Sequence, residues 1–129
     1  MRRAGSSATI GLVRPTVLIV DDHEDFRASA GALLDAEGFT VVGGAADGAT
    51  ALTAAARLVP DVVLLDVQLP DLDGFAVAHR LAAMPDPPRV VLVSSRPVSD
   101  YGARIDDVDV SGFLAKDDLT GESLAALVC

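Results

Sequence analysis

Short aliphatic runs recur along the chain at intervals of about twenty to twenty-five residues. The runs lack the alternation of polar and apolar residues that marks a strand with one face in water. Runs of this kind are typical of strands in a parallel sheet that is covered on both faces. Five strands are therefore predicted: TVLIV at 16–20, TVVGG at 40–44, DVVLL at 61–65, RVVLV at 89–93 and GFLAK at 112–116.

The gaps between these runs are long enough for helices, and the first two gaps show helical periodicity. Gly38 marks the end of the first predicted helix, while Asp47 caps the second helix and Pro60 ends it. The apolar positions that form the stripes of these two helices are Phe26, Ala30, Leu33 and Leu34, then Leu52, Ala55, Ala56 and Val59.

The remaining gaps predict weaker helices. Residues 75–84 are apolar but too rich in alanine to show a sharp face. Residues 96–110 contain Pro97 and Gly102, which are both unfavourable in a helix, so this fourth helix should be short or mobile. A fifth helix of about two turns is expected after Thr120.

Strands that alternate with helices through short connections define an α/β doubly wound sheet, because right-handed crossovers place helices on both faces. A length of 129 residues, half of them hydrophobic, suits one compact domain. That domain is expected to span residues 15–129, after a flexible N-terminal leader over residues 1–14. Ligands of such sheets bind beyond the carboxyl ends of the strands, so the residues that follow the runs are the functional candidates.

The charge of the chain narrows the classes of partner. Nineteen acidic against ten basic side chains give a net charge of −9, which argues against direct binding to nucleic acids or anionic membranes. No apolar run approaches the roughly 20 residues that cross a bilayer, and the leader lacks a sustained apolar stretch, so a cytoplasmic location is expected. The single cysteine, Cys129, excludes a disulfide framework within the chain.

Acidic residues follow two of the runs. Asp21 and Asp22 come directly after the first run, and Asp66 follows the third. If these strands are neighbours, the carboxylates converge, and two charges about 5 Å apart repel by roughly 3 kcal/mol at an effective dielectric constant of 20. A hard divalent cation such as Mg²⁺ removes that repulsion. Ser94 and Lys116, at the ends of the last two runs, add a hydroxyl and an ammonium group, and the whole set predicts phosphoryl transfer onto Asp66.

Each residue also has an ordinary structural explanation. An Asp after a strand is usually a turn former or a helix cap. Taken alone, Ser94 is more often a loop hydroxyl and Lys116 a solvated side chain, but their joint placement at strand ends favours the functional interpretation. A calcium loop is excluded for the DLDG turn, because Arg80 falls where a glutamate ligand is needed. His23 and His79 are expected to be surface histidines.

Four segments, in this order, resemble the receiver domains of two-component response regulators: VLIVDDHEDFR, DVVLLDVQLPDLDGF, VVLVSS and GFLAK. The resemblance covers residues 15–128, and GFLAKDDL is similar to the NarL/LuxR-type branch, which is often fused to a helix-turn-helix. It implies a flavodoxin-like, doubly wound sheet of five parallel strands in the order 2-1-3-4-5. The sequence shows no helix-turn-helix segment, so the DNA-binding role of that branch is not carried over.

The resemblance also implies roles for individual residues. Asp66 would be the phosphoacceptor, and Lys116 would contact its phosphoryl group. Ser94 and Phe113 would be the switch hydroxyl and the switch aromatic residue. The implied ligands of Mg²⁺ are Asp22 and Asp66 directly, Asp21 through a water molecule, and Gln68 through its backbone carbonyl.

The chain departs from the receiver pattern at two positions. Asp117 stands where many receivers have a cis-proline, and a cis bond before another residue would cost about 3–4 kcal/mol, so a trans bond is expected. Phe113 lacks the hydroxyl of the tyrosine that is common at its position, so any rotation of its ring would be driven by packing alone. Pro70 and Gly74 match the pattern, in which they shape the loop after the acceptor.

The resemblance implies a phosphoreceiver that accepts a phosphoryl group from a sensor histidine kinase, a phosphotransfer protein or a small phosphodonor. It implies no enzyme activity beyond slow self-dephosphorylation. It also implies that the signal passes to a downstream protein partner. The expected output surface contains the fourth helix, the fifth strand and the fifth helix, where Tyr101, Ile105, Leu124 and Leu127 add apolar contact area. A monomer or weak homodimer is expected.

Two alternative functions remain open. One is a receiver-like interaction module that works without phosphorylation, against which the full set of acids argues. The other is an Mg²⁺-dependent phosphatase with Asp66 as its nucleophile. The phosphatase would need a proton donor and a substrate pocket, and the nearby acids Asp71 and Asp73 lie beyond a proline in the turn.

Overall fold

The computed structural model of the protein describes residues 14–128. Its sheet has five parallel strands in the order β2-β1-β3-β4-β5, so the predicted doubly wound fold and strand order are confirmed. The strands are β1 (Thr16–Val20), β2 (Thr40–Ala45), β3 (Val62–Asp66), β4 (Arg89–Ser94) and β5 (Gly112–Ala115). The α-helices are α1 (Glu24–Ala36), α2 (Gly48–Leu58), α3 (Gly74–Ala82) and α4 (Gly121–Val128).

Alternate residues of the central strands enter two apolar layers on opposite faces of the sheet. Leu18 and Leu65 are buried on the face covered by α2 and α3, and Ile19 and Leu64 on the face covered by α1 and α4. The strand β3 lies between β1 and β4, and all of its residues are buried. Burial contributes about 1.5–3 kcal/mol for each large aliphatic side chain, which explains why these strands lack polar alternation.

The two helices with clear periodicity form as predicted, but only part of the predicted stripe of α2 packs against the core. The helix α1 packs its predicted stripe, with Ala30 buried. Of the predicted stripe, Ala55 is buried and Leu52 packs against the core, whereas Ala56 is exposed and Val59 lies just beyond the helix with 55% exposure. The helix also buries Ala51 and Ala54, which the stripe did not include. The sequence of α2 is so rich in alanine that small apolar residues occur on more than one face, and the stripe therefore identifies the packed face only in part.

The segment of residues 95–111, which joins β4 to β5, contains no α-helix. Two 3₁₀ helices, Val98–Asp100 and Gly102–Arg104, bury none of their own residues. Pro97 precedes the first, and Gly102 adopts a left-handed φ of 52°, which interrupts helical geometry. The fourth helix, expected to be short or mobile, is thus replaced by two short turns.

The structure also bears on the predictions about the N-terminal leader, the bond after Lys116 and membrane-crossing helices. The predicted leader over residues 1–14 lies outside the described residues, except for Arg14, whose guanidinium donates to Asp35 O at 2.7 Å. The peptide bonds of residues 14–128 are all trans, so the predicted trans bond between Lys116 and Asp117 is confirmed. A membrane-crossing helix, which would have to be long and apolar, is not found in this part of the chain.

Candidate functional site

The carboxyl ends of four strands bring polar side chains to one edge of the sheet. Because β1 and β3 are neighbours, Asp21 and Asp66 leave the sheet side by side, while Ser94 ends β4 and Lys116 follows β5. Asp21, Asp66 and Ser94 are only 0%, 3% and 1% exposed. Burial of polar and charged side chains is costly, and several such side chains at one place are typical of a functional site. This edge, called the acidic edge below, is therefore the candidate functional site.

Lys116 is the cation at the acidic edge. Its Nζ lies 2.5 Å from Asp21 Oδ2 and 3.4 Å from Asp66 Oδ2. The ammonium group also lies 4.6 Å from the centre of the Phe26 ring, within the range of a cation–π contact. Burial acts to lower the pKa of Lys116, but the hydrogen bond to Asp21 and the charge of Asp66 outweigh it and raise that pKa. Lys116 is therefore charged at neutral pH.

The two buried aspartates differ in pKa. Burial acts to raise the pKa of Asp21, but hydrogen bonds from Lys116 and His23 outweigh it and lower that pKa. Burial raises the pKa of Asp66, and the charge of Asp21 adds to the rise. A hydrogen bond from Gln68 N to Asp66 Oδ1, at 3.1 Å, and the charge of Lys116 oppose the rise only in part. Lys116 Nζ lies closer to Asp21 than to Asp66, so the charge of Asp66 is left incompletely balanced.

Asp22 and His23 complete a cluster that could hold a metal ion. One ligand atom from each of Asp21, Asp22, His23 and Asp66 lies within 4.8 Å of the others. The side chain of Asp22 is 39% exposed, so it is accessible to an ion from solvent. Three carboxylates around one ammonium group carry net negative charge, and hard oxygen donors of this kind fit a hard divalent cation.

His23 contacts both acids that precede it. Its Nδ1 lies 2.9 Å from Asp21 Oδ1 and 3.1 Å from Asp22 Oδ1, and its backbone N donates to Asp21 Oδ1 at 2.8 Å. The ring is 69% exposed, and His79 is exposed on α3, so both are surface histidines as predicted. The contact of His23 with the acids is not among the predictions, although its position directly after them is a signal that could have found it.

The loop after Asp66 turns back sharply on that residue. Gly74 N donates to Val67 O at 2.6 Å, and a Cβ at position 74 would lie 2.7 Å from Val67 Cα and closer still to Asp66 O. Glycine is therefore required at this close approach, in keeping with its expected role in the loop. Gln68 and Pro70 are exposed in the same loop. The role of the Gln68 carbonyl as a metal ligand stays a prediction.

Two acids of this loop cap helices. Asp71 accepts hydrogen bonds from Gly48 N at 2.7 Å and Ala49 N at 3.0 Å, the first amides of α2, and these bonds lower its pKa. Asp73 caps α3 by accepting from Ala76 N at 2.8 Å, which lowers its pKa. Both carboxylates are engaged in hydrogen bonds that favour their ionised form, so they are poor candidates for the proton donor of a phosphatase.

Ser94 and Phe113, the predicted switch residues, are connected through a third residue. Ser94 Oγ lies 2.6 Å from Tyr101 OH and accepts a hydrogen bond from Arg96 N at 2.9 Å. The Tyr101 ring packs between Phe75 and Phe113, with ring centres 5.7 and 5.8 Å apart. The sequence suggested only apolar contact area for Tyr101, whereas the structure brings its hydroxyl to Ser94.

Comparison with known proteins assigns this chain and its fold to a family. The sequence matches the response regulator receiver domain over residues 17–127, which is most of the chain. The chain therefore belongs to the receiver domains of two-component response regulators, the family that its motifs resemble.

Relatives with curated names support the assignment. A Pseudomonas aeruginosa protein named as a transcriptional regulator is 34% identical over 110 residues, covering 85% of this chain and 53% of that protein. BvgA of Bordetella pertussis, named as a positive transcription regulator of virulence factors, is 36% identical over 100 residues, covering 78% of this chain and 48% of BvgA. The chain thus spans about half the length of these relatives.

Solved structures agree with the sequence comparison. The signal receiver domain named as that of the response regulator NarL from Mycobacterium tuberculosis has a TM-score of 0.79 and 32% identity, with 88% of this chain and 96% of that chain covered. A CheY-like receiver domain from Methylobacillus flagellatus has a TM-score of 0.78 and 27% identity, with 89% and 96% covered. A LuxR-family regulator from Staphylococcus aureus, at 19% identity and a TM-score of 0.81 over 89% and 99%, shares the fold.

Proposed function

We propose that the protein is a phosphoreceiver in which Asp66 accepts a phosphoryl group. The proposal rests on one observation above all: Asp66 is a buried carboxylate at the end of the central strand, 3.4 Å from Lys116 Nζ. Burial and the charge of Asp21 disfavour the bare carboxylate, as the raised pKa of Asp66 indicates. Phosphorylation would place new phosphoryl oxygens beside an ammonium group that is already at the site.

In the proposed reaction, a carboxylate oxygen of Asp66 forms a bond to phosphorus while the bond from phosphorus to the donor breaks. The donor is the phosphohistidine of a sensor histidine kinase or phosphotransfer protein, or a small acyl phosphate, and its nitrogen or oxygen keeps the bonding electron pair. Lys116 then stabilises the charge on the transferred group. Asp22, Asp66 and the Gln68 carbonyl would hold Mg²⁺ directly, and Asp21 through water, so that the bound ion supplies positive charge to the phosphoryl oxygens.

The residues around Asp66 favour a phosphoacceptor over a phosphatase. Asp71 and Asp73 cap helices, and hydrogen bonds hold the pKa of each below its ordinary value, where a proton donor would need a raised pKa. We therefore propose that hydrolysis of the phosphoryl group is at most slow. The interaction module that works without phosphorylation is the second candidate, and the labelling experiment below separates the two.

The output of the proposed switch is a contact with a protein partner in the cytoplasm, made by a monomer or weak homodimer. A net charge of −9 disfavours a DNA contact. Ser94 and Phe113 are the proposed switch residues, because they lie at the end of β4 and on β5 and both contact Tyr101. The partner surface would then include the residues 95–111 and β5.

Intact-mass analysis after incubation with acetyl phosphate and Mg²⁺ tests the proposal. The wild-type chain should gain one phosphoryl group, and Asp66→Asn should gain none. Asp25→Asn is the matched control, since Asp25 is an exposed acid in the first turn of α1 and should leave labelling unchanged. Full labelling of Asp66→Asn would contradict the assignment, and an unlabelled wild-type chain would favour the interaction module.

A further inference from the structure

The hydroxyl of Ser94 is held by two neighbours. Ser94 is 1% exposed, its Oγ lies 2.6 Å from Tyr101 OH, and it accepts a hydrogen bond from Arg96 N at 2.9 Å. A serine hydroxyl offers one hydrogen and two acceptor positions, so these contacts engage most of its capacity. Both partners lie in the segment of residues 95–111, and neither has a role in the proposed chemistry at Asp66.

The ring of Tyr101 is held independently of its hydroxyl. It packs between Phe75 and Phe113 in tilted geometry, with interplanar angles of 58° and 51°. The guanidinium of Arg104 lies 4.3 Å from the centre of the Phe75 ring. Phe113 carries no hydroxyl, and Tyr101 is the only tyrosine of the chain. This aromatic layer therefore presents one hydroxyl to the switch serine, and Tyr101 supplies it.

We propose that Tyr101 is a positioning residue that holds Ser94 while Asp66 is unphosphorylated and releases it when Asp66 carries a phosphoryl group. This inference rests on the proposed function. Ser94 must turn its hydroxyl toward a phosphoryl oxygen to donate to it, and a displacement of about 1 Å takes Oγ out of hydrogen-bond range of Tyr101.

Release of Ser94 would remove the side-chain hydrogen bond between β4 and Tyr101, the residue that joins the two 3₁₀ helices. Val98–Asp100 and Gly102–Arg104 bury none of their residues, so little apolar packing opposes their rearrangement. Through the hydrogen bond between Ser94 and Tyr101, a phosphoryl group that moves Ser94 would act directly on the segment of residues 95–111. The Phe113 ring could not act in this way, because it contacts Tyr101 by packing and has no hydroxyl that could bond to Ser94.

The held serine should weaken the binding of a phosphoryl group. The neutral hydrogen bond between Ser94 and Tyr101 must be given up before Ser94 can donate to an anionic phosphoryl oxygen. The loss of one such neutral bond corresponds to a factor of about three to ten in an equilibrium constant. Tyr101→Phe keeps the ring and removes only the hydroxyl. This variant should bind the phosphoryl mimic beryllofluoride, in the presence of Mg²⁺, about three- to tenfold more tightly than the wild-type chain. A tyrosine that served packing alone would leave the affinity unchanged when replaced by phenylalanine.

Tyrosine fluorescence gives a direct measurement, because the chain has one tyrosine and no tryptophan. The emission of the wild-type chain should change as beryllofluoride binds, with the same midpoint as the fluorine NMR signal of the bound mimic. In Ser94→Ala the emission should differ before the mimic is added and should change little afterwards. Val98→Ala is the matched control, since Val98 lies in the same segment with 50% exposure. The emission of this variant should change on binding of the mimic as that of the wild-type chain does.

The fluorine NMR signal separates this inference from the proposed function. A wild-type chain that does not bind beryllofluoride would overturn the proposed function itself. Binding with constant Tyr101 emission, or an affinity of Tyr101→Phe that is within twofold of the wild-type value or weaker, would overturn the positioning role alone. Urea unfolding verifies that Tyr101→Phe is folded, and if it is not, the emission of the wild-type chain and of Ser94→Ala decides.

Discussion

The two sides of the acidic edge are built differently. On one side, Asp21 and Asp66 follow or end strands that are buried almost throughout, and α1 and α2 cover the sheet with buried residues of their own. On the other side, residues 95–111 form two 3₁₀ helices without a buried residue, and β5 is only partly buried along its length. The proposed acceptor Asp66 belongs to the well-packed side, whereas Lys116 and the proposed switch residues Ser94 and Phe113 border the loosely packed side.

This difference matches two different physical requirements. A phosphoacceptor needs fixed geometry, since a misplacement of about 1 Å can cost a factor of about 100 in rate. A switch needs an element with two arrangements that differ by only a few kcal/mol, and segments with few buried apolar contacts rearrange at low free energy. The molecule therefore places rigidity at the acceptor and adaptability at the proposed output.

Core truncations on the two sides should show the largest contrast in stability. Leu65 in β3 is fully buried, and Leu65→Ala should lower the free energy of unfolding by about 3–5 kcal/mol. Ile105 packs against the same apolar layer but is only partly buried, so Ile105→Ala should cost about 1 kcal/mol. Urea unfolding followed by circular dichroism gives both values. Equal losses would mean that residues 95–111 are as firmly packed as the central strand.

The next largest effect should come from Lys116 at the acidic edge. Lys116→Met leaves Asp21 and Asp66 close together without the ammonium group that contacts both. The free energy of unfolding should fall by about 2–3 kcal/mol, somewhat less than for a fully buried pair. Addition of Mg²⁺ should restore part of the loss, because the cation offsets the same repulsion. A loss that does not depend on Mg²⁺ would point to packing of the lysine stem instead.

Asp66→Asn should stabilise the chain when divalent cations are absent. Because burial raises the pKa of Asp66, its contribution to stability is present below the unfolded pKa and is lost as pH rises through the folded pKa. Asp66→Asn should therefore exceed the wild-type stability by about 1–2 kcal/mol at neutral pH, and the gain should disappear in acid.

The matched control for Asp66→Asn is Asp73→Asn. The pKa of Asp73 is lowered, chiefly by the hydrogen bond from Ala76 N, so its contribution is present above the unfolded pKa and is lost as pH falls through the folded pKa. Asp73→Asn should therefore be destabilising at neutral pH and approach the wild-type chain in acid. Urea unfolding between pH 3 and 8, with a chelator present, measures both differences; the same sign for both variants would contradict the proposed origin.

Hydrogen exchange with and without beryllofluoride compares the two sides directly. The mimic should change protection by about three- to tenfold in residues 95–118, because Ser94 precedes this segment, Lys116 lies within it, and its 3₁₀ helices bury none of their residues. Residues 24–59, which contain α1, β2 and α2, should change little. Changes confined to residues 24–59 would mean that the signal leaves by the well-packed side and that the switch roles of Ser94 and Phe113 are wrong.

The sequence predicts the well-packed side more completely than the loose side. Uninterrupted aliphatic runs identify the strands, and parallel strands end at one edge, so the placement of Asp21, Asp66, Ser94 and Lys116 follows from their positions after the runs. In the segment of residues 95–111, Pro97 and Gly102 weaken the helical signal without specifying an alternative. The sequence therefore predicts a weak element there but not the two 3₁₀ helices.

Apart from the local contact of His23 with Asp21 and Asp22, the contacts that the sequence misses join residues by tertiary packing. The hydroxyl of Tyr101 reaches Ser94 only because its ring is placed between two phenylalanines of other elements. Asp71 reaches α2 only because the loop after β3 passes the start of that helix. No periodicity or local spacing encodes such pairs, since each depends on where the chain lies after the sheet has formed.

The most local predicted effect concerns the link from the acceptor loop to α2. The carboxylate of Asp71 accepts from Gly48 N and Ala49 N, two amides that have no partner within the helix. Asp71→Ala should speed hydrogen exchange at these amides by about three- to tenfold, with little change in residues 95–111. In the wild-type chain the same protection should weaken in acid, because the lowered pKa of Asp71 means that its contribution is lost as pH falls through the folded pKa.

Asp47→Ala is the matched control for this last prediction, because Asp47 caps α2 locally through Thr50 N at 2.7 Å. It should speed exchange at Thr50 and leave the loop unaffected, whereas Asp71→Ala should also loosen the loop that carries Gln68. Exchange rates resolved by NMR distinguish the two patterns. If Asp71→Ala leaves the exchange rates of Gly48 N and Ala49 N unchanged, α2 is held by its own cap and apolar face. The loop would then not contribute to the rigidity of the acceptor side.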